Sequence, residues 1–92
     1  MVRVDTDEIL EAARKISSVA SEVSLTASTV SRIKGSLIGT FEGDAAEVLQ
    51  SQLGDLNADL RQLRNGLKSI SDELKAYADR IKAADEAASH EI

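Results

Sequence analysis

The sequence predicts an all-α protein, an antiparallel hairpin of two long helices. Three observations lead there. The 92-residue chain has no Pro and only five Gly, so helix breakers are scarce. Apolar residues recur at three- and four-residue steps over most of its length. One glycine-punctuated stretch, Gly39 to Gly43, interrupts that pattern near the middle.

The first helix is expected over about residues 6–38. Asp5 followed by Glu8 reads as an N-cap with its reciprocal partner. Ile9, Ile16, Val23, Val30 and Leu37 then repeat every seven residues, and Ala12, Val19 and Ile33 widen the stripe. Gly39 is the expected helix stop, which leaves a turn at 39–43.

The second helix is expected over about residues 44–88. Asp44 and Glu47 repeat the capping pattern. Leu49, Leu53, Leu56, Leu60, Leu63, Leu67, Ile70, Leu74 and Tyr77 alternate steps of four and three, and Ile81, Ala84 and Ala88 continue them. That is a heptad seam, the expected helix–helix contact. Gly54 and Gly66 fall off it, each costing about 1 kcal/mol against Ala without breaking the helix. A short connection forces the helices antiparallel within one domain, residues 1–92.

Ten Ser or Thr lie between Ser17 and Thr40. With Ala13, Ala20 and Ala27 they keep the first helix slim. They form either a solvated small-residue face or a surface that another helix approaches closely. A two-helix hairpin buries little, so a partner chain completing a four-helix bundle is expected. Leu10 and Leu25, off the main stripe, accompany that incomplete core.

The helix lengths are unequal. At about 1.5 Å per residue the first spans roughly 50 Å and the second roughly 68 Å. The first should run out near Tyr77, so a C-terminal segment projects. Its Asp85, Glu86 and Glu91 have the wrong sign for a helix C-terminus.

Composition excludes several functions. The net charge of −5 is evenly spread, with five basic and seven acidic residues in 1–46 and six and nine in 47–92. That opposes nucleic-acid binding and a basic membrane-surface helix. No segment is long and apolar enough for stable membrane insertion, and MVRVDTDEIL lacks the apolar run of a signal peptide. Export, if it occurs, is expected without a cleaved signal. His90 is the only imidazole and there is no Cys, so no metal site is expected. The adjacent acids Asp72/Glu73 and Asp85/Glu86 point in different directions on a helix, so they make no catalytic dyad. No catalytic constellation and no cofactor site appear.

The turn carries Phe41-Glu42-Gly43. A roughly hundred-residue hairpin with an aromatic-x-Gly turn resembles the WXG (ESAT-6-like) superfamily of type VII secretion substrates, with Phe41 in place of Trp and Gly43 at the Gly. Ile81, Asp85, Ala88 and Ile92 stand at the spacing of that family's C-terminal export motif, with Ile81 where many members have Tyr. Steps of four, three and four put them on one helical face. The resemblance implies a non-enzymatic protein, held in the bacterial cytoplasm before export and then secreted or displayed at the cell surface. It further implies contact with the secretion ATPase through the C-terminal motif.

The missing Trp and Tyr resemble the small helical partners of LXG toxins in Gram-positive bacteria, which bind the toxin's helical N-terminal domain. The implied partner is such a domain, another WXG-like protein, or a second copy of this chain. A structural coiled-coil protein without an export role is the alternative from a different class. Membrane disruption by freed helices fits poorly with the acidic charge. Phe41 either caps the seam over Leu37 and Leu49 or is offered to a partner. Gly43 permits a positive φ before Asp44.

Overall fold

The computed structural model describes residues 5–40 and 43–90, so Phe41, Glu42 and Ile92 lie outside the described residues. Helix α1 spans Thr6–Thr40 and helix α2 spans Asp44–His90. They pack antiparallel into an extended hairpin of 75 × 17 × 14 Å.

Both helix starts follow from local chemistry. The Asp5 carboxylate accepts from the N–H groups of Asp7 at 3.0 Å and Glu8 at 3.4 Å, and the Asp5 carbonyl accepts from Ile9 N–H. Asp5 is therefore the N-cap, satisfying donors that have no partner inside the helix. At α2 the flanking residue is Gly43 rather than the expected Asp44. Gly43 has φ of 100°, and its carbonyl accepts from Glu47 N–H at 3.2 Å. Only glycine adopts that φ readily. Asp44 becomes the first helical residue, where its charge still complements the helix dipole.

Gly39 does not end α1, which continues to Thr40. A glycine inside a helix costs about 1 kcal/mol without stopping it, and Gly43 supplies the left-handed residue that the reversal needs. The many hydroxyls of α1 are compatible with a long helix because several bond back to it. Ser21, Thr26 and Thr29 donate to the carbonyls of Ser17, Glu22 and Leu25.

The interface between the helices uses two columns from each. On α1 these are the Ile9, Ile16, Val23, Val30, Leu37 column and the small Ala13, Ala20, Ala27 column beside it. Ala13 and Ala20 are 0% and 5% exposed. On α2 the leucines Leu53, Leu60, Leu67 and Leu74 are partly buried. They alternate with Asn57, Ser71 and Ala78, of which Ser71 and Ala78 are buried.

Ser71 sits against α1 and donates its hydroxyl to the Ala13 carbonyl at 2.8 Å. Farther toward the turn, Asn57 Nδ2 donates to Ser31 Oγ at 2.6 Å. These two bonds, across sequence separations of 58 and 26, define the register. Small residues on both sides let the helices approach closely at Ser71. Ser71→Leu is expected to overpack this contact and destabilise the hairpin by about 1–3 kcal/mol. Ser71→Ala should cost about 1 kcal/mol. Denaturant midpoints of both variants check the order.

Helix α1 covers more of α2 than its length from the turn suggests. Ala78 is buried and Ile81 partly buried, so the exposed segment begins at Lys82 rather than near Tyr77. The Ser71–Ala13 register sets Thr6 opposite about Ala78, and side chains on α2 lean back toward its N-terminus, so Ile81 still reaches α1.

Gly54 lies closer to the interface than its position off the leucine stripe implies. It is partly buried, and a Cβ there would meet the Lys34 ammonium at 3.4 Å. Gly66 is exposed, and a Cβ there would meet nothing within 4 Å. Gly66→Ala should therefore stabilise the protein by about 0.5–1 kcal/mol through helix propensity and unfolded-state entropy alone. A thermal melt showing no gain would contradict an uninterrupted helix there.

Candidate functional site

The leucine stripe of α2 divides lengthwise. Leu53, Leu60, Leu67 and Leu74 turn toward α1 and are partly buried. Leu49, Leu56, Leu63, Ile70 and Tyr77 stand beside them, 39–51% exposed. The expected seam is thus one column between the helices and one column on the surface. A single neighbouring helix covers the Leu53 column and the Asn57/Ser71/Ala78 column next to it. It does not reach the far leucine column as well.

The exposed column has apolar company. Val19 and Ile33 on α1 are 46% and 48% exposed. They flank the interface on the side away from Ser17, Ser24 and Ser31. Those serines share their side with Arg61, Arg64 and Lys68, where two adjoining cavities join the helices. Val19 and Ile33 therefore border the same face as Leu49, Leu56, Leu63, Ile70 and Tyr77. This face is an apolar ribbon along one side of the seam. Among the described residues the largest fully buried side chain is only Ser71, so the hairpin interior itself is thin. Of the two leucines off the stripe, Leu10 is partly buried, while Leu25 points outward and is 69% exposed.

The C-terminal extension repeats the interface pattern without a cover. Ile81, Asp85 and Ala88 continue the two columns that α2 buries earlier, since Asp85 follows Ala78 by seven residues and Ala88 follows Ile81 by seven. Ile81 is partly buried, whereas Asp85 and Ala88 are exposed on the continuous helix. The extension thus presents an uncovered interface face with a carboxylate at its centre. Arg80 lies over the Tyr77 ring at 5.9 Å, a cation–π contact near the start of this segment. The fourth position of the expected motif, Ile92, and the turn residue Phe41 lie outside the described residues.

Among the described residues no cluster of His, Cys, Asp or Glu could hold a metal ion. No helix among the described residues is long and apolar enough to cross a membrane. The two cavities, about 210 and 140 Å³, are shallow and lined by serines, alanines, Asn57 and basic side chains. What the hairpin presents is helical surface.

Over residues 1–86 the sequence of this hairpin matches the family model WXG100, proteins of 100 residues with WXG. The chain belongs to the WXG100 family. No curated protein and no solved structure matches it. This WXG100 protein is a non-enzymatic type VII secretion protein. WXG100 proteins are secreted by type VII systems, and the family suggests protein partners in that secretion.

Two features of the WXG100 hairpin escaped the sequence reading. Ser71 was not distinguishable from a surface serine, because its burial depends on what α1 places opposite it. The basic side chains had a weak signal: Arg61, Lys68, Lys75 and Lys82 repeat every seven residues, which puts them on one edge of α2.

Proposed function

We propose that this WXG100 protein is the binding partner and export-targeting factor of an LXG-type toxin, whose helical N-terminal domain it binds, or of another WXG-like protein. The observation that carries this reading is the apolar ribbon of Leu49, Leu56, Leu63, Ile70, Tyr77, Val19 and Ile33. Leu49 to Tyr77 alone runs about 42 Å along α2. An exposed apolar surface of that length beside a thin interior calls for a complementary helical face. Two further helices laid on it complete a four-helix bundle and bury the leucine column that α1 leaves open.

The second half of the function belongs to the tail. Ile81, Asp85, Ala88 and Ile92 form the targeting motif for the secretion ATPase, and Phe41 with Gly43 forms the family's turn motif. Because the tail lies beyond α1, partner binding through the hairpin and recognition of the tail can occur together.

The decisive experiment is co-purification from the native host followed by identification of the bound chain. A toxin N-terminal domain or WXG-like protein in stoichiometric complex supports the proposal. A second copy as the sole partner supports a self-sufficient exported homodimer instead. A stable monomer indifferent to every chain present in the host would refute both.

A further inference from the structure

The side of the seam opposite the apolar ribbon has a different chemistry. Two adjoining cavities, about 210 and 140 Å³, form one trough between the helices and share Ser24 and Arg64. The α1 wall is Ser17, Ser21, Ser24, Ser28 and Ser31, with Ala20 and Ala27 beneath. The α2 wall is Asn57, Arg61, Arg64 and Lys68. No carboxylate lines it. Among the described residues the one ion pair is Lys15–Glu11, so none of the three cations is paired with an acid. Arg64 is oriented by Asn65 Oδ1, at 2.8 Å from one terminal nitrogen and 3.2 Å from Nε. At one end, Asn57 Oδ1 is buried without a hydrogen-bond partner.

We propose that this trough is a second docking surface, which takes an acidic α-helix from another polypeptide. Charge complementarity selects the occupant. The chain carries a net charge of −5, yet this strip gathers three cations with no acid between them. Arg61, Arg64 and Lys68 are spaced by three and four residues, the spacing of carboxylates along one face of a helix. The serine wall runs about 21 Å along α1, or roughly four helical turns. Its short side chains let an incoming backbone lie close, and their hydroxyls can bond to polar side chains.

Other anionic partners fit less well. A nucleic acid would find only three cations here, on a chain whose net charge is −5. A membrane would find no large apolar side chain in the trough to insert. The inference does not depend on the pairing proposed above, because the trough lies across the seam from the apolar ribbon. Together the two faces allow the hairpin to hold one helical partner on each side.

The test uses the full chain, ¹⁵N-labelled, titrated to millimolar concentration with an Ala-rich helical peptide of about 20 residues carrying Glu at alternating three- and four-residue steps. A peptide with Gln at the same positions is the control. The expected result is amide shifts confined to residues 17–31 and 57–68 for the Glu peptide, weakening as salt rises. The triple variant Arg61→Gln, Arg64→Gln, Lys68→Gln should bind at least tenfold more weakly. Ser28→Leu, at an exposed position, keeps all three cations and fills the trough, so it should also lose binding. Circular dichroism confirms that both variants remain helical.

Absence of shifts with the Glu peptide, equal binding of the Gln peptide, or unchanged affinity in either variant would overturn the proposal. So would tighter binding of single-stranded DNA or anionic phospholipid vesicles through the same three side chains. Concentration-dependent self-association that the triple variant abolishes would assign the trough to a second copy instead.

Discussion

Asp85→Ala is expected to abolish or strongly reduce export of this WXG100 protein, and of any toxin exported with it, while leaving the fold intact. Asp85 is exposed on a segment of α2 that α1 does not cover. Its carboxylate has no ion-pair partner among the described residues. Removing it should change stability by no more than about 0.5 kcal/mol, as at other exposed positions. The same residue stands at the centre of a face that is buried one and two heptads earlier, at Ala78 and Ser71. A basic group on the secretion machine could meet the carboxylate while Ile81 and Ala88 supply apolar contact. Asp85→Glu should retain much of the export. The measurement pairs the extracellular fraction with partner pull-down from cells at matched expression. Normal export of the Ala variant would falsify the targeting role. Loss of partner binding would show that the tail is an adaptor surface.

Leu60→Asp and Leu63→Asp are expected to fail in different ways, although both residues belong to one leucine stripe. Leu60 faces α1 and is partly buried. A carboxylate there replaces apolar contact at mid-seam and is partly desolvated, and the cation one turn along α2, Arg64, is already held by Asn65. The expected loss is about 3–5 kcal/mol, a large share of the stability of a domain this size. Helicity should collapse at any protein concentration.

Leu63 is 51% exposed on the apolar ribbon. Leu63→Asp should leave the isolated hairpin helical and remove association, because the charge then sits at the centre of the partner face. Sedimentation and circular dichroism across a concentration series separate the two outcomes. Equal collapse of both variants would place the whole stripe between α1 and α2, and a Leu63→Asp protein that still associates would remove the ribbon from the partner interface.

Much of the architecture was written locally and could be read from the residues. Asp5 caps α1 because its short carboxylate reaches the Asp7 and Glu8 N–H groups, an interaction complete within four residues. Gly43 turns the chain because a positive φ is open to glycine alone at little cost. Heptad recurrence of Ile9, Ile16, Val23 and Val30 and of the α2 leucines makes both segments amphipathic helices wherever they lie. These are short-range properties, and the antiparallel hairpin follows from them once the connection is short.

The tertiary structure decided which columns of those helices meet. Periodicity cannot do so, because a stripe two leucines wide offers either edge to a neighbour. The choice came from α1, whose small Ala13 admits Ser71 at close range and brings the Ser71 hydroxyl onto its own carbonyl. That contact joins residues 58 apart in the chain. It turns Leu49, Leu56, Leu63, Ile70 and Tyr77 outward, and it sets Arg61, Arg64 and Lys68 beside the serines of α1 on the other side. The sequence by itself determined two amphipathic helices and the place of their reversal. Their rotation about their own axes, and with it the two unlike faces of the hairpin, was decided only by packing between residues far apart in the chain.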